Sequence, residues 1–245
     1  MKLARLDNCP EIFHTLQGEG VSVGKAAVFV RTSRCNLHCR WCDTDYTWNF
    51  KGTPWEHDRG IKHDKAACTF EISPASLVER LATYPCRHIV LTGGEPLLQQ
   101  EELLEAIRSL RQLDPEWTFE VETNGTRIPD PAFEAVISQF NVSPKLAHSG
   151  MDAALRIVPA ALTHFARNPK AWFKFVASSN ADIEEIEALA QAHQIPASRI
   201  VLMPEGRTSQ DLDRHSAELA ARVLEKGWRF SDRLHVRLWG DRRGV

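Results

Sequence analysis

Apolar positions in this chain follow two periods. From residue 26 onward, short runs rich in Val, Ile and Phe alternate with longer stretches whose apolar residues recur every three or four positions, the signature of repeated strand–helix units around a parallel sheet. Residues 27–31, 88–92, 118–122, 140–143, 172–177, 200–203 and 234–238 are predicted strands. After Pro96, the series Leu97, Glu101, Leu104 and Leu103, Ile107, Leu110 predicts a helix. A second is predicted over 209–226, with Leu212, Leu219, Val223 and Leu224 on one face and Gly227 as a C-cap just past its end. Residues 74–84 and 181–193 read as helices too.

Several predicted strands end in polar or glycine-bearing turns (TGGEP, ETNG, SPK, MPEG). Chemically useful groups therefore collect at the C-terminal edge of the sheet, where α/β folds place ligands. Residues 45–70 break the rhythm. They carry Trp48, Trp55, His57 and His63 without periodicity and read as a long surface excursion packed over the mouth of the site.

Composition narrows the class. At 245 residues with 43% hydrophobic and 25% charged positions, the chain reads as one globular domain over 1–245. A formal net charge of −2 offers no general attraction for nucleic acid or an anionic membrane. The opening MKLARLDNCPEIF lacks the apolar core of a signal peptide, and no apolar run approaches the roughly 20 residues needed to cross a bilayer; the expected location is the cytoplasm. Six cysteines do not read as three disulfides, because a chain of this size needs no staples and Cys35, Cys39 and Cys42 fall within eight residues.

That clustering points to a metal. The segment CNLHCRWC spaces its sulfurs C-x3-C-x2-C, close enough for one loop to hold a small cluster. Three thiolates on four irons leave one iron open to chelate S-adenosylmethionine (SAM) and deliver an electron to its sulfonium. A zinc site of Cys3His type is the other reading, although His38, lying between two ligands, is badly placed to close a tetrahedron. Cys9, Cys68 and Cys86 read as small buried hydrophobes; Cys68 with His57 and His63 is a second, unspecific metal possibility.

Farther along, Gly93-Gly94-Glu95-Pro96 closes the second predicted strand of the repeat. Tandem glycines admit close approach and Glu95 is an acceptor for an ammonium group. With the cysteine spacing and Trp41 before the third cysteine, this arrangement resembles the radical SAM superfamily. The resemblance implies an α/β fold, an incomplete and open β/α barrel of roughly β6/α3, and a SAM site at Trp41, Gly94 and Glu95. Glu122, Thr123 and Asn124, with Ser143, Pro144 and Lys145 and with Met203, Pro204, Glu205 and Gly206, would meet ribose and adenine.

Less general segments go further. EIFHTLQGEG, FVRTSRCNLHCRWCDT and the terminal LHVRLWGDRRGV resemble the 7-carboxy-7-deazaguanine synthases over residues 11–245. That resemblance implies a ring contraction of 6-carboxy-5,6,7,8-tetrahydropterin with loss of ammonia, in formation of 7-deazapurines such as queuosine. Leu16, Gln17 and Gly18 would read the pterin edge, Arg31 its carboxylate, and Thr92 and Val245 would complete the pocket. Thr44 matches a Mg2+-binding threonine, with Asp43 and Glu19 behind it. A flavodoxin-type reductant and a homodimer closing the open barrel edge are the implied partners. A glycyl-radical-enzyme activase, which shares the cysteine spacing, and a non-catalytic zinc-stabilised binding module are the competing readings.

Overall fold

The computed structural model describes residues 1–245. Its β-branched and aromatic runs enter one eleven-stranded sheet: β1 (Lys2–Leu6), β2 (Cys9–Pro10), β3 (Ile12–Leu16), β4 (Ala26–Thr32), β5 (Thr69–Glu71), β6 (His88–Gly93), β7 (Thr118–Thr123), β8 (Gln139–Val142), β9 (Ala171–Ala177), β10 (Ile200–Pro204) and β11 (Arg229–Phe230). From β4, strands β6 through β11 follow in chain order and pair in parallel. On the other edge of β4, β3 runs antiparallel along residues 26–30 and β1 meets Thr32. The order ends at β11 on one side and β2 on the other, so the barrel stays open.

Six of the seven predicted strands stand within a residue or two of the observed ones. The seventh does not. Residues 234–238 lie in a helix, because the N–H groups of Arg237 and Gly240 bond back four residues to Arg233 and Val236. The alternating Leu234, Val236 and Leu238 mimic a strand, yet only Val236 is buried and Leu238 faces solvent. The last parallel position belongs instead to the two residues of β11.

Helices α1 (Lys65–Cys68), α2 (Pro74–Ala82), α3 (Gln100–Leu113), α4 (Pro131–Val136), α5 (Ala153–Arg156), α6 (Pro159–Arg167), α7 (Asn180–His193), α8 (Ser209–Lys226) and α9 (Leu234–Trp239) complete the chain. Local chemistry sets their ends. Ser73 caps α2, with Pro74 at its first position. Ser179 with Asp182 and Thr208 with Asp211 form capping boxes on α7 and α8. Gly227 ends α8 at φ 66°, a left-handed conformation that glycine takes without strain. The apolar stripe Leu103, Ala106, Ile107 and Leu110 of α3 enters a core that also holds Phe119, Phe140, Phe173 and Phe175.

One residue on α8 departs from expectation. Leu224 is 85% exposed: each helical step turns about 100°, which carries it off the face that buries Leu212, Leu219 and Val223. The segment 45–70 departs more. Its first six residues, Asp45 to Phe50, are buried, so it begins as core and reaches the surface only beyond. The Asp45 carboxylate accepts from Arg59 and from His63 Nε2, with His57 alongside, and thereby folds the excursion onto itself. His63 is thus committed to Asp45 while His57 only stands beside it, and no group of three His, Cys, Asp or Glu side chains gathers for a single ion there. No helix is long and apolar enough to cross a membrane.

In urea denaturation, Leu219→Ala is expected to cost about 2–5 kcal/mol as a buried truncation, whereas Leu224→Glu changes stability by no more than about 0.5 kcal/mol.

Candidate active site

A cavity of about 730 Å³ opens at the C-terminal edge of the parallel strands, within the roughly 300–1,000 Å³ of small-molecule sites. Five of the parallel strands contribute: Arg31 from β4, Thr92 and Gly93 from β6, Glu122 and Thr123 from β7, Lys174 and Val176 from β9, Met203 from β10. The loop after β4 supplies Cys35, Cys39 and Cys42 to the same cavity.

Backbone contacts hold that loop. Arg34 donates to Thr47 at 2.8 Å and Ser33 to Lys2 at 2.9 Å, while Gly94 and Glu95 donate to Thr32 and Arg34 at 3.0 and 2.9 Å. Donors also reach the sulfurs: Leu37 N lies 3.4 Å from Cys35 Sγ, and Trp48 Nε1 lies 3.4 Å from Cys42 Sγ. Burial pushes the Cys39 thiol up to about 12, and Cys35 and Cys42 upward as well. Thiolates in such a place need a cationic partner.

The glycine pair is demanded by the protein's own packing. Gly93 has φ 121°, and a Cβ on either residue would lie inside the backbone of Thr32 or Arg34; only glycine lets the turn after β6 press on the cysteine loop. Glu95 likewise is engaged inside the protein. It is wholly buried and outside the cavity lining, accepting from Asn124 N at 2.7 Å, Thr123 Oγ1 at 2.9 Å and Leu97 N at 3.0 Å. Its carboxylate is a strut between strand ends, not a free acceptor for ammonium. Asn124, so held, reaches Asn36 Oδ1 at 2.9 Å in the cysteine loop.

Charge covers the floor. Lys174 Nζ sits between Glu19 at 2.6 Å and Glu122 at 2.7 Å, and Arg233 joins Glu19 at 2.9 Å to Asp43. Burial opposes ionisation of Glu19, yet Lys174, Arg233 and His235 outweigh it and hold its carboxyl well below the ordinary range. Asp43 is drawn down to about 2, burial again being overcome by Arg233. Glu122 moves the other way, because burial and its neighbours Glu19 and Glu120 prevail over Lys174. Lys174 and Arg233 hold their protons beyond their usual ranges.

Most expected site residues converge. Leu16, Gln17, Gly18, Arg31, Trp41, Thr44, Thr92, Gly94, Glu122, Thr123, Asn124, Ser143, Lys145, Met203, Glu205, Gly206 and Val245 all line the cavity with the cysteines. Pro144 and Pro204 do not; both are packed inside. Gln17 faces the cavity with its amide engaged in the floor, donating to Glu122 at 3.1 Å and accepting from Glu19 N at 3.2 Å. Gly18 is small because a Cβ there would overlap the His235 ring. Arg31 gives Nε to buried Glu11 at 3.0 Å, which leaves its terminal nitrogens without a protein partner. Lys174, Arg207, Arg233 and His235 also line the cavity and are absent from the expected set; a lysine amid the apolar strand AWFKFVA is the one sequence signal among them. Trp41 Nε1 and Arg207 Nη1 are buried beside the cysteine loop without a hydrogen-bond partner, donors that a polar ligand would satisfy.

Comparison with known proteins agrees with this arrangement. Residues 29–215 match the model of the radical SAM superfamily. The 7-carboxy-7-deazaguanine synthase of Pyrobaculum aerophilum is 36% identical over 239 residues, covering 96% of this chain and 95% of the relative. That of Halobacterium salinarum is 36% identical over 255 residues, with 94% and 90% covered. The crystal structure of QueE from Escherichia coli superposes with a TM-score of 0.66 at 25% identity, covering 96% of this chain and 95% of that one.

The charged floor carries a pH signature. A depressed carboxyl contributes stability that is present above its unfolded value, about 4.3 for Glu, and is lost as pH falls through the folded value. Arg233→Met leaves Glu19 and Asp43 short of a cation and is expected to cost about 3–5 kcal/mol near pH 7. The gap from the parent protein should narrow as pH falls below about 4, measured by denaturant titration across pH; a gap independent of pH contradicts the assignment.

Proposed function

The chain belongs to the radical SAM superfamily and, within it, to the 7-carboxy-7-deazaguanine synthases, and we propose that its cavity contracts the ring of 6-carboxy-5,6,7,8-tetrahydropterin to 7-carboxy-7-deazaguanine with loss of ammonia. One observation carries this reading: the three thiols of the C-x3-C-x2-C loop and the fork of Arg31 face one cavity floored by buried charge. Cys35, Cys39 and Cys42 would hold a [4Fe–4S] cluster, which together with SAM, when bound, supplies a hydrogen-abstracting carbon radical.

The chain's own residues bind and orient. Glu11 fixes Arg31 Nε, so the two terminal nitrogens are aimed before a substrate carboxylate arrives and little ordering remains to be done. Phe13 and Phe29, stacked 5.4 Å apart and lining the cavity, present an apolar wall to a flat ring. Lys174 keeps its proton between Glu19 and Glu122, which makes it a fixed charge in the floor rather than a base. Trp41, with Lys145 Nζ 5.7 Å over its ring, and the ends of β7, β8 and β10 form the wall for SAM. The Thr44 hydroxyl, at the cavity surface beside the last cluster cysteine, would hold Mg2+, a hard cation that completes its shell with water and substrate oxygens.

Exposed Arg34 and Arg40 on the cysteine loop support an acidic flavodoxin-type protein as the electron donor. The short edge strand β11, with Phe230 exposed, supports a homodimer; a monomer in analytical ultracentrifugation rejects it.

Reconstituted protein incubated anaerobically with SAM, Mg2+, the carboxypterin and either dithionite or reduced flavodoxin is expected to yield the deazapurine chromophore. Its absence with dithionite overturns the reading; its absence with flavodoxin alone overturns the donor. Arg31→Ala is expected to weaken carboxypterin binding by about 2–5 kcal/mol in calorimetry while leaving a pterin without the carboxylate unaffected.

A further inference from the structure

Trp48 sits in the excursion, six residues past the last cysteine, and lines the cavity beside it. It is buried, its backbone N–H bonds to Asp45 O at 3.1 Å, and its ring meets His38 edge-on at 5.2 Å and His57 at 6.1 Å. Boxed in this way, it points its indole N–H at Cys42 Sγ, 3.4 Å away. Packing alone would accept a phenylalanine or leucine here; the N–H is a donor and nothing else. His57 supports the same turn. Its Nδ1 accepts from Arg59 N at 3.2 Å, so Nε2 bears the proton and donates to Cys42 O at 2.8 Å. The excursion is itself anchored by Asp45, whose carboxylate is saturated by Arg59 and His63.

We propose that Trp48 is a positioning residue that sets the reduction potential of the cluster, through its N–H hydrogen bond to Cys42 Sγ, and that the excursion is built to hold it there. The inference rests on the cluster assignment made above. Reduction takes one electron from the flavodoxin-type donor or dithionite and adds one negative charge to the cluster and its thiolates. Part of that charge falls on Cys42 Sγ, and a donor aimed at a ligating sulfur favours the more negative form, raising the potential. Loss of the donor therefore makes the cluster harder to reduce. The exposed Trp55, whose ring stacks on His38 at 3.7 Å, touches no sulfur and has no such effect.

An EPR-monitored redox titration of the reconstituted full chain, performed without substrate, tests this independently of turnover. Trp48→Phe is expected to lower the midpoint by the equivalent of a tenfold change in the reduction equilibrium, ~59 mV for a one-electron couple, and Trp55→Phe to leave it in place. Should the Phe variant fail to bind iron, benzothienylalanine at position 48, which keeps the bicyclic shape and lacks the N–H, gives the same comparison. A midpoint unchanged in the variant that does bind the cluster overturns the proposal, as does an equal shift in Trp55→Phe. A parent chain that takes up no iron and sulfide overturns the cluster assignment as well, which separates the two failures.

Discussion

Backbone against backbone, the turn at Gly93 and Gly94 rests directly on the strand end and loop at Thr32 and Arg34, and the rest of the site is arranged around that contact. Two peptide chains approach this closely only where no Cβ intervenes. Because the turn presses on the loop, Glu95 falls into the interior, where its carboxylate gathers Leu97, Thr123 and Asn124. Asn124 in turn reaches Asn36. Strands β4, β6 and β7 are thus tied at their C-terminal ends by one connected set of bonds, and the cysteine loop is part of it.

A second set of ties comes from buried ions. Glu11 joins Arg31 to Tyr46 and Arg243; Asp45 joins Arg59 to His63; Glu19 joins Lys174 to Arg233. In each, a carboxylate removed from water is met by more than one donor, the condition under which burying charge is tolerable. The Glu11 and Glu19 sets also link segments far apart in the chain, whereas the Asp45 set closes the excursion on itself. The ion pairs do at the cavity what apolar packing does in the core: they fix which loops lie side by side.

Much of this was legible in the sequence, for local reasons. Parallel strands buried on both faces announce themselves as apolar runs, and three cysteines in eight residues announce a shared ligand. The failures are equally physical. Leu234, Val236 and Leu238 alternate as a strand would, and nothing in six residues reveals that the backbone closes into a helical turn. That error hid Arg233 and His235, whose value to the cavity depends on where α9 brings them. Glu95 beside two glycines looks like a ligand acceptor, because a sequence shows the donors of a small molecule and of a neighbouring backbone as the same need. Leu224 shows how a stripe widened by one residue leaves its face. The excursion misled because aromatic and histidine residues without periodicity resemble a surface loop, while its buried first six residues are organised by Asp45 rather than by a repeating pattern.

The way the cysteine loop is held has a practical side. Peptide contacts and glycines that admit them support its shape. For a member of a family that works with an air-sensitive inorganic centre, such contacts give the loop support that does not pass through the metal.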